Sequence, residues 1–323
     1  MEDTYTKFSK LELDSDLTRP VLITAINEAQ ARNGKPFLNI NMLDGESDIQ
    51  AKMFDMTAAA LKNNGINDGM VVKATLHKKL FNGAPSYTAE KIERDNCGMT
   101  VEDLVKMPPV DIDVMYGKVC ELLESTKTEG GCTPLACLAL EIIGENEKRF
   151  KTSSASIVMH HNMRGGLLYH TYRMMLAADA LCAVYTSLDR ELLLCGTALH
   201  DIGKIWEYKT STIGSAEYTK QGVLFGHLYM GAALIKEHSK NSDYNKEKVM
   251  MLVHMILSHH GAAEWGAVKS PSFAEAFVLH YVDNIDAKLY MCEDHNAALN
   301  EGEFTERVPY GLDNRLYRPS ASE

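Results

Sequence analysis

Apolar and polar positions alternate through much of the first hundred residues. Val21, Ile23 and Ala25 alternate with more polar neighbours, and Leu38, Ile40 and Met42 alternate with Phe37, Asn39 and Asn41. A period of two marks a half-buried strand. Asp44-Gly45 signals a turn, and Ile49, Ala51 and Met53 continue the alternation. A short helix is predicted over 56–63. Residues 71–80 alternate again, Asn82-Gly83 marks a turn, and 86–93 reads as a last strand. Beyond residue 98 the period lengthens. Apolar residues recur at three- and four-residue spacing over 99–106 and 111–125, with Pro108-Pro109 between them. Gly130-Gly131 interrupts the pattern and 134–150 resumes it. From 165 to 299 nearly everything reads as helix, chiefly 167–185, 189–201, 226–238, 246–260 and 272–298. Gly203, Gly222 and Gly261 mark breaks.

Three strands, a helix and two strands is the order of a small five-stranded Greek-key barrel, the OB-fold. A generic β-domain fits the same pattern. The expected fold is α+β and multidomain: an N-terminal five-stranded OB-like β-barrel followed by an all-α helical bundle. The expected divisions are a barrel over 1–95, a helical connector over 96–160, the bundle over 161–300 and a polar C-terminal extension over 301–323. There is no internal repeat or low-complexity tract.

Composition narrows the class. The chain has 323 residues, 45% hydrophobic and 24% charged, an ordinary globular mix. No apolar run approaches the ~18–20 residues of a membrane helix, so no membrane role is expected. The polar stretch Met1 to Lys10 carries no secretory or lipid signal. Seven cysteines with no C-x-x-C pair argue against a disulfide scaffold or zinc ribbon and fit a reducing cytoplasm. Net charge is −11, which excludes a broadly basic nucleic-acid coat. The charge is uneven: residues 1–95 hold 12 Lys+Arg against 14 Asp+Glu, and the remainder 21 against 30. Contact with nucleic acid would therefore use local patches and metal ions.

The histidines are concentrated. Of twelve, only His77 precedes His160. The helix before His200-Asp201 is strongly apolar, so its end should be buried, where a carboxylate needs a partner or a metal. Alone, such a dipeptide reads as a hydrated His-Asp pair at a surface helix end. It is accompanied by His170, His227, the pair His259-His260 and Asp283, each in or beside a different apolar helix. The intervals of 30, 26, 32 and 23 residues each suit a helix plus a turn. Successive helices of a bundle could then deliver these side chains to one centre.

The ordered set H…HD…H…HH…D resembles that of the HD-domain metal-dependent phosphohydrolases. Within them the likeness is greatest to the YhaM-type 3′→5′ exoribonucleases, and it spans almost the whole chain. It is carried by Gly165-Gly-Leu-Leu-Tyr-His-Thr171, Leu199-His-Asp-Ile-Gly-Lys204, Gly226-His227 and His254-Met-Ile-Leu-Ser-His-His-Gly261. It continues through Leu279-His-Tyr-Val-Asp-Asn-Ile-Asp-Ala-Lys288 and Leu312-Asp-Asn-Arg-Leu-Tyr-Arg-Pro319. The resemblance also implies an N-terminal OB-fold.

Imidazole and carboxylate without thiolate suit borderline metals. Seven ligands exceed the need of one ion, so two divalent ions are expected, Mn2+ first, with Fe2+, Co2+ or Mg2+ as alternatives. By resemblance His170, His200, Asp201 and Asp283 hold one ion, and Asp201 bridges to a second held by His227, His259 and His260. A pair ~3.5–4 Å apart generates a hydroxide nucleophile and clamps the attacking and leaving oxygens. Lys204 reads either as a phosphate contact or as a helix C-terminal cation complementing the dipole. Arg164 reads as a phosphate contact or a solvated surface residue. Asp286 is expected behind the ligands, and His254 and His280 in supporting or packing roles. His160, His161, His238 and His295 are read as ordinary, and Trp206 and Trp265 as lining the cleft or capping the bundle. In the barrel, Lys35, Phe37, Lys52 and Phe54, with Phe81, Tyr87, Lys78 and Lys79, form a candidate face for single-stranded nucleic acid. Each aromatic alone reads as a core or packing residue, and it is their grouping that suggests a binding face.

The resulting expectation is a two-metal exonuclease on single-stranded RNA, and by extension DNA, releasing 5′-mononucleotides from the 3′ end. The alternative is a phosphodiesterase or nucleotidase for a small or cyclic nucleotide. A non-catalytic adaptor is disfavoured by the complete ligand set. A homo-oligomer is left open.

Overall fold

The computed structural model describes residues 5–31, 34–81, 84–128, 131–157, 163–211, 214–240, 244–309 and 311–320. The Asn82-Gly83 turn, Gly130, His160 and His161 lie outside the described residues. The chain divides into two compact units, Met1–Met107 and Pro108–Glu323.

Strands β1 (Ser15–Gln30), β2 (Pro36–Leu43), β3 (Asp48–Phe54), β4 (Val71–Phe81) and β5 (Ala84–Glu93) close the first unit into a barrel. The order around it is β1-β2-β3-β5-β4, with only β3 and β5 parallel. Helix α1 (Ala58–Asn63) lies between β3 and β4, its start capped by the Thr57 hydroxyl. This is the OB-fold arrangement. The alternation read from the sequence is the inside–outside pattern of the wall: Leu38, Ile40 and Met42 are fully buried, and Asn39 and Asn41 between them are half-buried. β1 is longer than its alternation indicated. Its first half pairs with β4 and its second half with β2, because one strand must reach both neighbours to close the barrel.

The helix expected over 99–106 is absent. The segment forms only a 3-10 turn at Glu102–Leu104. Gly98 is left-handed, and the Thr100 amide and hydroxyl both donate to the Asp103 carboxylate, at 2.7 and 2.8 Å. That local ring competes with helical hydrogen bonding. The spaced apolar residues Met99, Leu104 and Val105 are buried without a helix.

A polar pair is sealed within this unit. Arg19 and Asp44 are both fully buried, with Nη1 3.4 Å from Oδ2. The Asp44 carboxylate also accepts from the amides of Phe8, Glu46 and Ser47. Arg19 donates to the carbonyls of Thr6, Pro20 and Asp44.

The second unit is helical. Helix α2 (Ile112–Glu124) is followed by a minimal ladder of β6 (Lys127–Thr128) and β7 (Gly131–Cys132). The helix expected over 134–150 is two, α3 (Pro134–Glu145) and α4 (Glu147–Thr152), separated at Asn146, whose φ of −112° and ψ of 11° leave the helical region. Then come α5 (Gly166–Val184), α6 (Arg190–Leu199) and the single turn α7 (Lys204–Glu207). A hairpin not foreseen in the sequence, β8 (Tyr208–Thr210) and β9 (Ala216–Tyr218), precedes α8 (Lys220–His238). Helices α9 (Lys246–Ser258) and α10 (Ala274–Ala298) complete the bundle. α8 starts six residues before Gly226, which kinks it with φ 70° and ψ 158°. Helix α5 packs against α2, α4, α6 and α10, and one apolar core runs through the unit. The tail folds back on α10: Phe304 pairs with Tyr317, and the Arg318 guanidinium donates to the carbonyls of Asn296 and Leu299. Among the described residues, no helix is long and apolar enough to cross a membrane.

Breaking a buried ion pair leaves an uncompensated charge, a loss of about 3–5 kcal/mol. Asp44→Ala should therefore destabilise the barrel by about that much, read from hydrogen exchange of its core amides. Arg19→Met in the same background should restore part of the loss.

Candidate metal centre

The bundle brings all seven candidate ligands together from five helices or their ends. His170 lies in the first turns of α5, His227 follows the Gly226 kink, and Asp283 lies within α10. The two adjacent pairs follow helix ends: His200-Asp201 follows α6, and His259-His260 follows α9. Helix C-termini expose carbonyls without helical partners. His200 Nδ1 donates to the Thr197 carbonyl and His259 Nδ1 to the Ile256 carbonyl, both at 2.8 Å. A carbonyl only accepts, so each Nδ1 carries the hydrogen and each Nε2 is left with a lone pair. One local device thus sets both tautomers.

Two further rings are set by acids, while the fifth, His260, has a buried Nδ1 that makes no hydrogen bond. His170 Nδ1 donates to Asp286 at 2.6 Å, and His227 Nδ1 donates to Glu207 at 2.8 Å. The His227 amide donates to the second Glu207 oxygen at 3.1 Å. Asp286 is held in turn by Arg173 Nε at 2.6 Å. Such outer partners fix ring orientation and raise ligand basicity.

The Nε2 atoms converge. His170 and His200 face each other at 3.3 Å, as do His227 and His260. Asp283 Oδ1 is 3.2 Å from His170 Nε2. Lone pairs this close require a proton or a cation between them. Asp201 stands in the middle with its two oxygens divided. Oδ2 is 3.2 Å from His200 and 3.9 Å from His170, while Oδ1 is 3.5 Å from His227 and 3.6 Å from His259. Oδ1 is buried and accepts no hydrogen bond. The sets His170/His200/Asp201 and His227/His259/His260 each offer ligand atoms within 4.8 Å of one another. This donor chemistry fits divalent cations, with nitrogen and oxygen and no thiolate.

Charges follow this packing. Burial opposes ionisation of Asp201, but Lys204 and His200 hold its carboxyl well below the usual range. Burial likewise opposes ionisation of Asp283, which the hydrogen bond from His170 keeps low. Burial works against a charged His170, yet Asp283 and Asp286 carry it up to about 9. Burial, with His259 and His227 alongside, pushes His260 down to about 3.

Lys204 opens the single turn α7, four residues after His200. Its ammonium lies 2.7 Å from Asp201 Oδ2 and is buried. Beside it is a cavity of about 290 Å³ lined by Asp201, Lys204, His260, Trp265, Asp283 and Lys288 among others. Arg164, half-buried in the turn before α5, does not line it. Trp206 lies at another hollow, with Phe225 and Tyr229. His280 donates to the His259 carbonyl at 2.8 Å, His254 packs on Phe273, and His238 donates to Glu145. Glu207 was not singled out in the sequence. Its spacing from His200-Asp201 gave no signal, because β8, β9 and the first turns of α8 separate it from His227. Gly203 permits the approach: a Cβ there would lie 2.1 Å from the His227 carbonyl oxygen.

In the barrel, Phe37 and Phe54 are cross-strand neighbours with ring centroids 5.9 Å apart. Lys52 Nζ lies over both Phe37 and Phe81, at 5.9 and 5.7 Å. Phe54 and Phe81 are exposed. Lys35 pairs with Asp55 at 3.0 Å, and Lys78 Nζ lies over Tyr87.

Residues 167–288 match the HD domain family. The 3′-5′ exoribonuclease YhaM of Geobacillus sp. (strain WCH70) is 32% identical over 300 residues, covering 93% of this chain and 90% of that protein. Among solved structures, the second OB-fold domain of replication protein A from Methanococcus maripaludis covers 27% of this chain and 91% of its own. It has 14% identity and a TM-score of 0.23. A likeness at that score carries no weight, and the strand order alone identifies the barrel. The chain belongs to the YhaM-type HD-domain family and is a metal-dependent hydrolase.

Losing an outer partner of a metal-bound imidazole typically weakens metal affinity ~10–100-fold. Glu207→Ala should weaken divalent-ion binding by about that factor, measured by Mn2+ titration, with unchanged far-ultraviolet circular dichroism.

Proposed function

We propose that this chain is a 3′→5′ exoribonuclease acting on single-stranded RNA, and on single-stranded DNA by the same geometry, releasing 5′-mononucleotides with two divalent ions, Mn2+ first among them. The observation that carries the reading is the division of the Asp201 carboxylate between two histidine groups. His170, His200, Asp201 and Asp283 would hold one ion, and Asp201, His227, His259 and His260 the other. Bound there, such a pair supplies an activated water and neutralises charge developing on the phosphate oxygens.

The chain's own groups do the rest. Asp286, Glu207 and the two helix-end carbonyls hold the Nε2 lone pairs inward without reorganisation. Lys204 stands at the cavity wall, where its ammonium can meet a phosphate oxygen as well as Asp201. The cavity of about 290 Å³ is at the small end of ligand clefts, which suits one strand end and excludes a duplex. The face of Phe37, Lys52, Phe54 and Phe81 supports binding of a single strand, with aromatics for bases and ammonium for backbone. The 3′→5′ polarity and the RNA substrate are supported by the likeness to the Geobacillus protein.

Incubated with Mn2+ and a 5′-labelled oligoribonucleotide, the protein should give a ladder shortening stepwise from the 3′ end. A blunt hairpin should resist and a circular strand survive. Rapid cleavage of the circle would refute an exonuclease. Fast turnover of a small nucleotide with every polymer untouched would favour the alternative, a small-nucleotide phosphodiesterase. Asp201→Asn should lose both ions by metal analysis and essentially all turnover, while melting cooperatively. Full metal content in that variant would overturn the bridging assignment.

A further inference from the structure

Trp265 is a large aromatic left 59% exposed beside the buried polar centre of the bundle. It lies in the 3-10 turn Ala263–Trp265, which begins three residues after His260. That turn is fastened at several points. The Ala262 amide donates to the His260 carbonyl, and the Trp265 and Ala267 amides both donate to the Ala262 carbonyl. The Val268 amide returns to the Leu257 carbonyl in the last turn of α9. The indole is thus carried on the same backbone that sets His259 and His260.

A second ring supports it. The His280 imidazole, from α10, lies nearly parallel to the indole, with centroids 6.0 Å apart and planes 22° apart. His280 is itself fixed from below by its hydrogen bond to the His259 carbonyl. It rests against the backbone of Gly261, where φ is +83° and a Cβ would come within 2.3 Å of the ring. No other residue type fits there without displacing the ring. Both rings line the cavity that contains Asp201, Lys204 and His260. Lys288, whose ammonium donates to the Gly311 carbonyl of the tail, lines the same cavity.

A core tryptophan would be covered, and a merely solvated one would have no fixed turn and no ring behind it. Trp265 has one face backed by a positioned imidazole and most of its surface open, at the rim of a cavity that holds about one small ligand. We propose that Trp265, backed by His280, is the stacking platform for the nucleobase of the terminal nucleotide, and sets the scissile phosphate at the Asp201–Lys204 floor. This rests on the exonuclease reading given above for the substrate being a strand end. Stacking is tolerant of base identity because every base has a π-face. The platform therefore recognises that a base is present, not which base it is.

The test compares two 5′-labelled oligoribonucleotides, one ordinary and one whose 3′-terminal unit is a ribose without a base. Base–aromatic stacking is worth ~1–3 kcal/mol per base, about 5- to 150-fold. The full-length protein should remove the base-less unit slower by about that factor. Trp265→Ala should lose the discrimination, and Trp265→Phe should restore most of it. Undiminished discrimination by a folded Trp265→Ala protein would overturn the platform. A second readout needs neither polymer cleavage nor a change at Trp265. In Trp206→Phe protein Trp265 is the sole tryptophan, and its fluorescence should be quenched by a 5′-mononucleotide but not by ribose 5-phosphate. Equal or absent quenching by both would overturn the platform. Base-dependent quenching with no shortening of any polymer would keep the platform and overturn the exonuclease reading.

Discussion

A carboxylate buried among four imidazoles is the constraint around which the second unit is organised. Asp201 has almost no contact with water, and a charge in that position is sustained only by neighbours that compensate it. Lys204 supplies one positive charge from three residues away, and the single turn α7 places it there. The imidazoles supply lone pairs that only a proton or a cation can reconcile with the carboxylate. This arrangement is costly for stability and useful for chemistry, because it presents a preformed set of donors to a divalent ion.

Holding those rings requires a second layer, and the fold provides it in two ways. Helix ends α6 and α9 use carbonyls that every helix leaves unpaired. Helices α5 and α8 approach the centre with their sides, where no such carbonyl is free, and there Asp286 and Glu207 take the role. His200 and His259, at helix ends, are oriented by backbone, and His170 and His227, on helix flanks, by a carboxylate. The same reasoning explains the close passage of Gly203 behind His227, which brings α7 and α8 near enough for Glu207 to reach.

The barrel solves a different problem with a related device. Arg19 and Asp44 are sealed among apolar strands and gather the amides and carbonyls of the β2–β3 turn and of the segment before β1. Here the buried charges are paired with each other and saturated with backbone hydrogen bonds, so no lone pair is left over for a ligand. In the bundle, Asp201 Oδ1 is left without a hydrogen bond, and that difference separates a structural pair from a site.

The sequence by itself marked out the barrel and the candidate ligands. Period-two alternation gave the strands because the inside–outside pattern of a barrel wall is local, as at Leu38, Ile40 and Met42. The HD dipeptide and its companions were legible because ligation demands particular residue types at helix-length intervals. Asp286 was legible as a supporting residue, being one helical turn from Asp283. Tertiary structure alone decided the rest. Glu207 reaches His227 across a hairpin and a kinked helix, and its partner is set by the path of the chain, not by spacing. The residues at 99–106 carry a helical spacing but form a turn, since the Thr100–Asp103 hydrogen bonds and the left-handed Gly98 outweigh a weak local propensity. Lys204 could be assigned to a helix end or to the cluster until the position of α7 was known. Which oxygen of Asp201 faces which histidines, and which ring lies under Trp265, depend on how five helices pack. Pairwise packing of distant segments leaves no periodic trace in a single chain.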